Sequence, residues 1–417
     1  MKESNRKKRV PRDASVMPHS DAISMDRVLL GDIAKIGSGG TPSRTIRSYW
    51  DGNVPWIKTG EINYNTITDA DEYISDLAVA ESSAKVFPAG TLLMAMYGQG
   101  KTRGQVAILG IHAAINQACA AIAPTDPEDN IYLFHYLTFH YRDIRNLSNS
   151  GSQENLSADL IRSIPIQYPR KANRKKIADI LSACNDTLDR VRDLITGRSQ
   201  QKKALMQQLL TGKRRLPGFK GKWMSYPIRN LYKTVSRPVI WDDKTVYSLL
   251  SVRRRSGGVF LREHLKGSKI LTKTLFTAHA GDFLISKMQV LHGATGLVPP
   301  ELDGCHISGS YIALRPQGKD VIDPKFFTHF SDSPEFRHLT YLCSYGVHIE
   351  KMTFNLSWFL ESKIVIPPTV KEQRAIAEVL TAAETEVTLL EEKYASLQLL
   401  KRGLMQKLLT GKIRVKP

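Results

Sequence analysis

Residues 177–213 return, without a gap, as residues 376–412. Thirteen of the 37 pairs are identical at a constant offset of 199, where ordinary composition would give about two. Ile177-Ala178-Asp179-Ile180-Leu181 becomes Ile376-Ala377-Glu378-Val379-Leu380. Leu209-Leu210-Thr211-Gly212-Lys213 becomes Leu408-Leu409-Thr410-Gly411-Lys412. A repeat of this length, so far apart, commits the chain to two large equivalent halves.

Both copies read as long helices. Apolar residues fall at Ile177, Leu181, Cys184, Leu188, Val191 and Ile195 in the first, and at Ile376, Leu380, Ala383, Val387, Leu390, Tyr394 and Leu397 in the second. Steps of four and three alternate, which is the seam of a coiled coil. Ile177, Leu181, Leu188, Val191, Ile376, Leu380, Val387 and Leu390 are the expected seam residues. Lys202 and Lys401 interrupt it at matching places. Thr369 with Glu372 has capping-box spacing. Gly212 and Gly411 stand where a left-handed residue would end each helix. Helices of about 40 residues would be about 60 Å long, and two copies related by a pseudo-two-fold axis would pair antiparallel.

The stretches before each helix share a plan but almost no sequence. In the first, Val54–Ile57, Thr91–Tyr97, Gln105–Leu109 and Ala118–Ala123 are expected strands, Tyr132–Arg145 a helix, Asn155–Arg162 a short helix and Ile164–Tyr168 a strand. In the second, Gly281–Ser286 answers to Gly90–Ala95, Ser310–Arg315 to Ala118–Ala123, Phe326–Leu339 to the 132–145 helix, and Lys363–Pro368 to Ile164–Pro169. The expected organisation is α/β (α+β), in five parts. Residues 1–25 are a disordered basic tail, 26–169 a first globular domain, 170–215 a first spacer helix, 216–368 a second domain and 369–417 a second spacer helix.

A net charge of +19 over 417 residues favours a polyanionic partner. No apolar run of 18 residues occurs, so no membrane span is expected. The basic N-terminus lacks the apolar core of a secretory signal. Cys119, Cys184, Cys305 and Cys343 lie far apart with no Cys-x-x-Cys, which argues against a zinc site and fits a reducing cytoplasm.

Catalytic motifs are missing or fail on context. Ala95-Met96-Tyr97-Gly98-Gln99-Gly100-Lys101-Thr102 fits a relaxed phosphate-loop pattern. That loop needs a helix directly after Lys-Thr, and Gln105–Leu109 reads as a strand. Neither Pro-Pro pair has the flanks of an adenine-methylating loop, and no His-Glu-x-x-His or Gly-x-Ser-x-Gly occurs. What does stand out is basic and amide side chains on glycine-flexed loops: Lys58, Tyr97, Gln99, Lys101 and Arg103 in the first half, and Arg253, Arg254, Arg255, Lys287, Gln289 and His292 in the second. Gln and Arg can read base edges, and Lys and Arg can hold phosphates. These are the candidate DNA-binding residues. No catalytic or metal-ligating residues are assigned.

Leu30-Gly31-Asp32, Gly39-Gly40-Thr41-Pro42, Val54-Pro55-Trp56-Ile57, Met96 through Gly104, Ile115-Asn116-Gln117-Ala118 and the two Leu-Met-Gln-x-Leu-Leu-Thr-Gly-Lys helix ends occur in an order that resembles the specificity (S) subunit of type I restriction–modification systems. The resemblance covers nearly the whole chain. It implies two target recognition domains that each read half of a split double-stranded DNA site, with two antiparallel helices setting the gap. It implies a non-catalytic subunit on which two methyltransferase (M) subunits and restriction/translocase (R) subunits dock. S-adenosylmethionine, ATP and magnesium would then belong to those partners, and this chain would bind no cofactor. The second half departs from the Gly-Gly-Thr-Pro pattern, with Ser236-Arg237-Pro238 near that place. Two readings compete with this one: a phosphate-loop ATPase built on Lys101, and an assembly scaffold that does not bind DNA.

Overall fold

The computed structural model describes residues 26–98, 100–147, 155–348, 352–413 and 415; the expected tail and Gln99 lie outside these. The chain forms two compact units, Met1–Arg190 with Tyr394–Pro417, and Val191–Lys393. Each combines one globular domain with the start of one long helix and the end of the other.

The first domain is built on two sheets. One orders Ala34–Ser38, Cys119–Pro124, Leu92–Ala95, Val106–Leu109 and Thr66–Ile67; the other orders Glu72–Ile74, Val54–Ile57, Ala113–Ile115 and Val86–Phe87. Strand Leu92–Ala95 shows why the sequence runs apolar without alternation. Leu92 and Met94 face the helical core, while Leu93 and Ala95 face a second core shared with Ile57 and Ile115. A strand covered on both faces needs no polar side. A ribbon pairing Asp26–Leu29 with Pro165–Tyr168 closes the domain.

The second domain repeats this order. Tyr232–Val235, Tyr311–Pro316, Phe283–Ser286 and Thr295–Leu297 form the first sheet, Val259–Lys266, Val246–Val252, His306–Ser308 and Leu275–Thr277 the second, and Met224–Pro227 with Lys363–Ile366 the ribbon. Phe283 and Ile285 face the helical core and Leu284 the other one. Gly90 and Gly281, before the matching strands, have φ of 88° and 84°. The expected alignment of the two halves therefore holds at a position where each places a left-handed glycine.

Long helices span Lys171–Leu209 and Val370–Leu409, and Gly212 and Gly411 follow them at φ 70° and 71°. In the first unit Ile177, Ala178 and Leu181 share a core with Met405, Leu408 and Leu409. In the second, Leu209 and Leu210 share one with Ile376, Ala377 and Leu380. The start of one helix thus meets the end of the other, which is antiparallel pairing within each unit. Leu188 and Val191 are buried, and Val387 and Leu390 half-buried, on the same stripe. The interrupting lysines have specific surroundings. Lys202 Nζ donates to Glu384 Oε1 at 2.7 Å, and burial lowers the Lys401 pKa, opposed by Cys184 and Asp189.

The domains are pinned to the helices by matching polar contacts. His135 Nε2 lies 3.4 Å from Ser182 Oγ, and His329 Nε2 lies 2.9 Å from Thr381 Oγ1. Ser182 and Thr381 are themselves 199 residues apart. Burial lowers both imidazole pKa values, His135 to about 3, so both rings are neutral at pH 7.

Two expectations about helices are corrected. The 132–145 helix is two, Asn130–Phe139 and Tyr141–Asn146. The 326–339 helix is also two, Pro324–Ser331 and Pro334–Leu342, because Ser333 caps a new start by accepting from Phe336 N and Pro334 takes the first helical position. The capping box at Thr369 is only half made. The Thr369 hydroxyl accepts from Glu372 N at 3.4 Å, but the buried Glu372 carboxylate is taken by Arg215, at 2.6 and 2.7 Å.

Candidate nucleic-acid interface

In each domain two loops meet. One leaves the strand Val54–Ile57 or Val246–Val252; the other joins the hairpin strands that follow residue 91 or 282. In the first domain Tyr64 N donates to Val106 O at 2.8 Å and Gln105 Nε2 to Asn63 Oδ1 at 3.3 Å. In the second, Arg255 N donates to His292 O at 2.7 Å and Ser256 N to Gly293 O at 2.8 Å. Residues at these meetings are bent into the left-handed region: Tyr64 (φ 56°), Arg255 (56°) and Ser256 (58°). Gly293 makes the second contact possible, since a Cβ there would sit 3.3 Å from Ser256 N in a backbone already at φ 70°.

The first-domain loop 98–104 is braced from outside. Tyr141 OH donates to Lys101 O at 2.6 Å and receives Arg145 Nη1 at 3.1 Å. Tyr141 packs edge-on to Tyr64, with centroids 5.9 Å apart. Lys101 is exposed and Tyr97 is 41% exposed, so both can meet a ligand. Gln99 lies outside the described residues. Arg103 corrects the expectation: it is 3% exposed and part of the interior under the loop. Lys58 is also less available than its exposed-corner pattern implied. It is half-buried and its Nζ pairs with Glu72 at 2.8 Å and Asp71 at 3.7 Å, which raises its pKa chiefly through the Glu72 hydrogen bond.

The second domain brings most of its candidates together. Arg253, Arg254 and Arg255 are exposed on the hairpin tip. Arg253 lies over the Phe260 ring at 4.0 Å. Lys287 is half-buried, its Nζ donating to Gly309 O at 2.7 Å. Gln289 and His292 are half-buried on the opposing loop. Sequence reasoning missed Asp332 and Arg337, which join Arg254, Arg255 and His292 around one cavity. Asp332 follows the first and Arg337 lies in the second of the two helices expected as one, so no loop signal marks them.

The motif glycines are explained by packing. A Cβ on Gly39 would lie 1.7 Å from Ile115 O, and one on Gly40 2.3 Å from Ser83 O. Where the second domain departs from this pattern, Arg237 instead pairs with the buried Asp282 at 2.7 Å. Lys101-Thr102 leads through a turn into strand Val106–Leu109, so the helix N-terminus that a phosphate loop requires is not there. Among the described residues no helix is long and apolar enough to cross a membrane, and the four cysteines are free thiols.

Asp332 is the titrating group of this interface. Burial, opposed by a Ser256 hydrogen bond, raises its carboxyl to about 6. A folded-state pKa above the ordinary 3.8 adds stability that is complete below about pH 4 and is lost as pH rises through about 6. The loss is at most about 3 kcal/mol. Asp332→Asn is expected to raise the denaturation midpoint at pH 7 and to flatten its change between pH 4.5 and 7. A variant as pH-dependent as the parent would contradict this origin.

Residues 24–200 match the family described as Type I restriction modification DNA specificity domain. The chain is 29% identical over 163 residues to the type I restriction enzyme MjaIX specificity subunit of Methanocaldococcus jannaschii, covering 38% of this chain and 37% of that one. It is 27% identical over 173 residues to the EcoR124I/EcoR124II specificity subunit of Escherichia coli, covering 40% and 41%. The matches thus span about two fifths of these curated relatives. Over nearly the whole chain the fold is that of the type I restriction-modification S subunit from M. genitalium, with a TM-score of 0.60 at 12% identity, covering 94% and 98%. A structure titled for complex assembly and conformational transition of the type I R-M system gives 0.52 at 18%, covering 93% and 98%. The fold is a duplicated α/β protein with two similar globular domains and two long helices whose ends pair antiparallel within each unit. The chain is thus similar to type I restriction–modification specificity subunits in sequence over its first domain and in fold over nearly its whole length.

Proposed function

We propose that this chain is the non-catalytic DNA-reading subunit of a type I restriction–modification complex. Each domain reads one block of a bipartite, asymmetric target, and the long helices set the gap between the blocks. The observation that carries this reading is the duplication itself. Two domains share strand order, helix joints and the pair of meeting loops, while the loop sequences are unrelated. A shared frame with divergent loops suits two different sequences read by one construction. The +19 charge supports a nucleic-acid partner.

The two equivalent helix frames would seat two methyltransferase subunits, with restriction/translocase subunits completing the complex. S-adenosylmethionine, ATP and magnesium would act on those partners, in the cytoplasm. Tyr97, Gln99 and Lys101 are the contacts proposed for the first domain, and Arg253, Arg254, Arg255, Gln289 and His292 for the second. Lys58 and Lys287 would join them only by giving up their present partners.

Two substitutions test the first-domain contacts. Gln99→Ala is expected to relax discrimination at one base, a good bidentate pair being worth about 1–3 kcal/mol. Lys101→Ala is expected to weaken binding to every sequence and to lower the salt slope by about one. Both are read by titrating the chain with duplexes at several salt concentrations. Unchanged DNA binding by Lys101→Ala, with loss of radiolabelled ATP binding, would instead favour an ATPase. A full-length chain with no salt-dependent DNA affinity would favour a scaffold.

A further inference from the structure

A cavity of about 460 Å³ lies behind the hairpin tip of the second domain. Arg254, Arg255 and Ser256 line it from the hairpin, Leu291, His292 and Gly293 from the opposing loop, and Met206 from the first long helix. Asp332 and Arg337 complete it. Three arginines and a histidine therefore line it together with a single acidic residue, Asp332. The backbone of Arg255 is held by its N–H to His292 O and its left-handed conformation, and the Arg337 guanidinium is held by Nη2 donating to Asp332 O at 3.3 Å. Arg253, by contrast, lies over Phe260 and does not line the space. A planar guanidinium fork matches the tetrahedral oxygens of a phosphate better than a flexible ammonium does. The volume exceeds what one phosphate needs and leaves room for an attached sugar.

We propose that this cavity is a phosphate-binding site, with Arg337 and Arg255 as its principal anchors. With DNA reading as proposed above, on which this source rests, the occupant is a backbone phosphate beside the bases met by the hairpin. A free phosphorylated small molecule offers the same chemistry. Phosphate contacts of this kind set register and orientation and leave the sequence to be read by neighbouring side chains.

The test uses the full chain, its Arg337→Ala variant and, as an independent check, Arg255→Ala. Duplex binding is measured over a salt series, and inorganic phosphate binding by calorimetry. A backbone phosphate predicts several-fold weaker duplex binding by Arg337→Ala at every salt, with the slope of log affinity against log salt lowered by about one. An unchanged slope, with inorganic phosphate bound by the parent and not by either variant, upholds the site and assigns it to a free phosphorylated molecule. Parent and variants that bind duplex alike and bind no phosphate would overturn the site while leaving the DNA reading intact. A parent that binds phosphate but no duplex would overturn the DNA reading and keep the site.

Discussion

One heptad inserted into each long helix, after Val191 and after Leu390, is expected to lengthen the gap between the two DNA blocks and leave both blocks unchanged. Seven residues add about 10 Å to a helix and return the seam to its own phase. The seam residues nearest the insertions, Leu188 and Val191 in the first helix and Val387 and Leu390 in the second, lie on the buried or half-buried stripe. An insertion that is not a whole number of heptads would shift that stripe out of phase. The loops proposed to read DNA lie in the globular domains, so the insertion does not touch them. Binding to the parent target should fall to the non-specific level, a loss of about 10³-fold or more, and return on a target with a longer gap. Selection from a random duplex pool measures both effects. An altered block with an unaltered gap would show that the helices are not the ruler.

Arg174→Ala is expected to destabilise the first unit by about 3–5 kcal/mol, because it strands a buried carboxylate. Arg174 Nε and Nη2 donate to Asp129 Oδ1 and Oδ2 at 2.6 and 3.0 Å. Both side chains are under 10% exposed, at 8% and 3%. Arg174 also donates to Pro169 O at 2.6 Å and stacks over Tyr168, whose hydroxyl donates to Asp129. The second unit builds the same joint around Gln373 in place of the arginine, with the exposed Arg374 3.6 Å from Asp323. Gln373 Oε1 accepts from Asp323 N at 2.8 Å, and Gln373 Nε2 donates to Pro367 O at 3.1 Å. Gln373→Ala should therefore cost less, about 1–3 kcal/mol. Denaturant titration of the full chain compares them. An Arg174→Ala loss under about 1 kcal/mol, or Asp129→Asn added to Arg174→Ala without partial recovery, would contradict the buried-pair account.

The long helices were legible in the sequence because the apolar period recurs at the same offset in both copies, from Ile177 to Leu209 and from Ile376 to Leu408, with Lys202 and Lys401 interrupting it at matching places. The matching strands were legible because continuous apolar runs such as Leu92-Leu93-Met94-Ala95 suit a strand covered on both faces. Helix breaks were less so. Ser333-Pro334 is a start signal set inside an apolar pattern that continues across it, and the period hid the cap. Arg103 shows the limit at the candidate site. Its neighbours Lys101 and Tyr97 are exposed, but loop 98–104 folds back under Tyr141, and no local pattern reveals which loop residue turns inward. Arg337 shows the converse. It comes to the site through tertiary packing, from a helix remote in sequence from both loops.

The central claim is that two unlike domains read two unlike blocks at a fixed separation. Sequencing the modified bases of the host genome with and without this gene tests it most directly. The expected result is loss of methylation at one asymmetric motif, made of two short unlike blocks separated by a constant number of unread bases. Unchanged methylation, or loss confined to a single contiguous or palindromic motif, would contradict it.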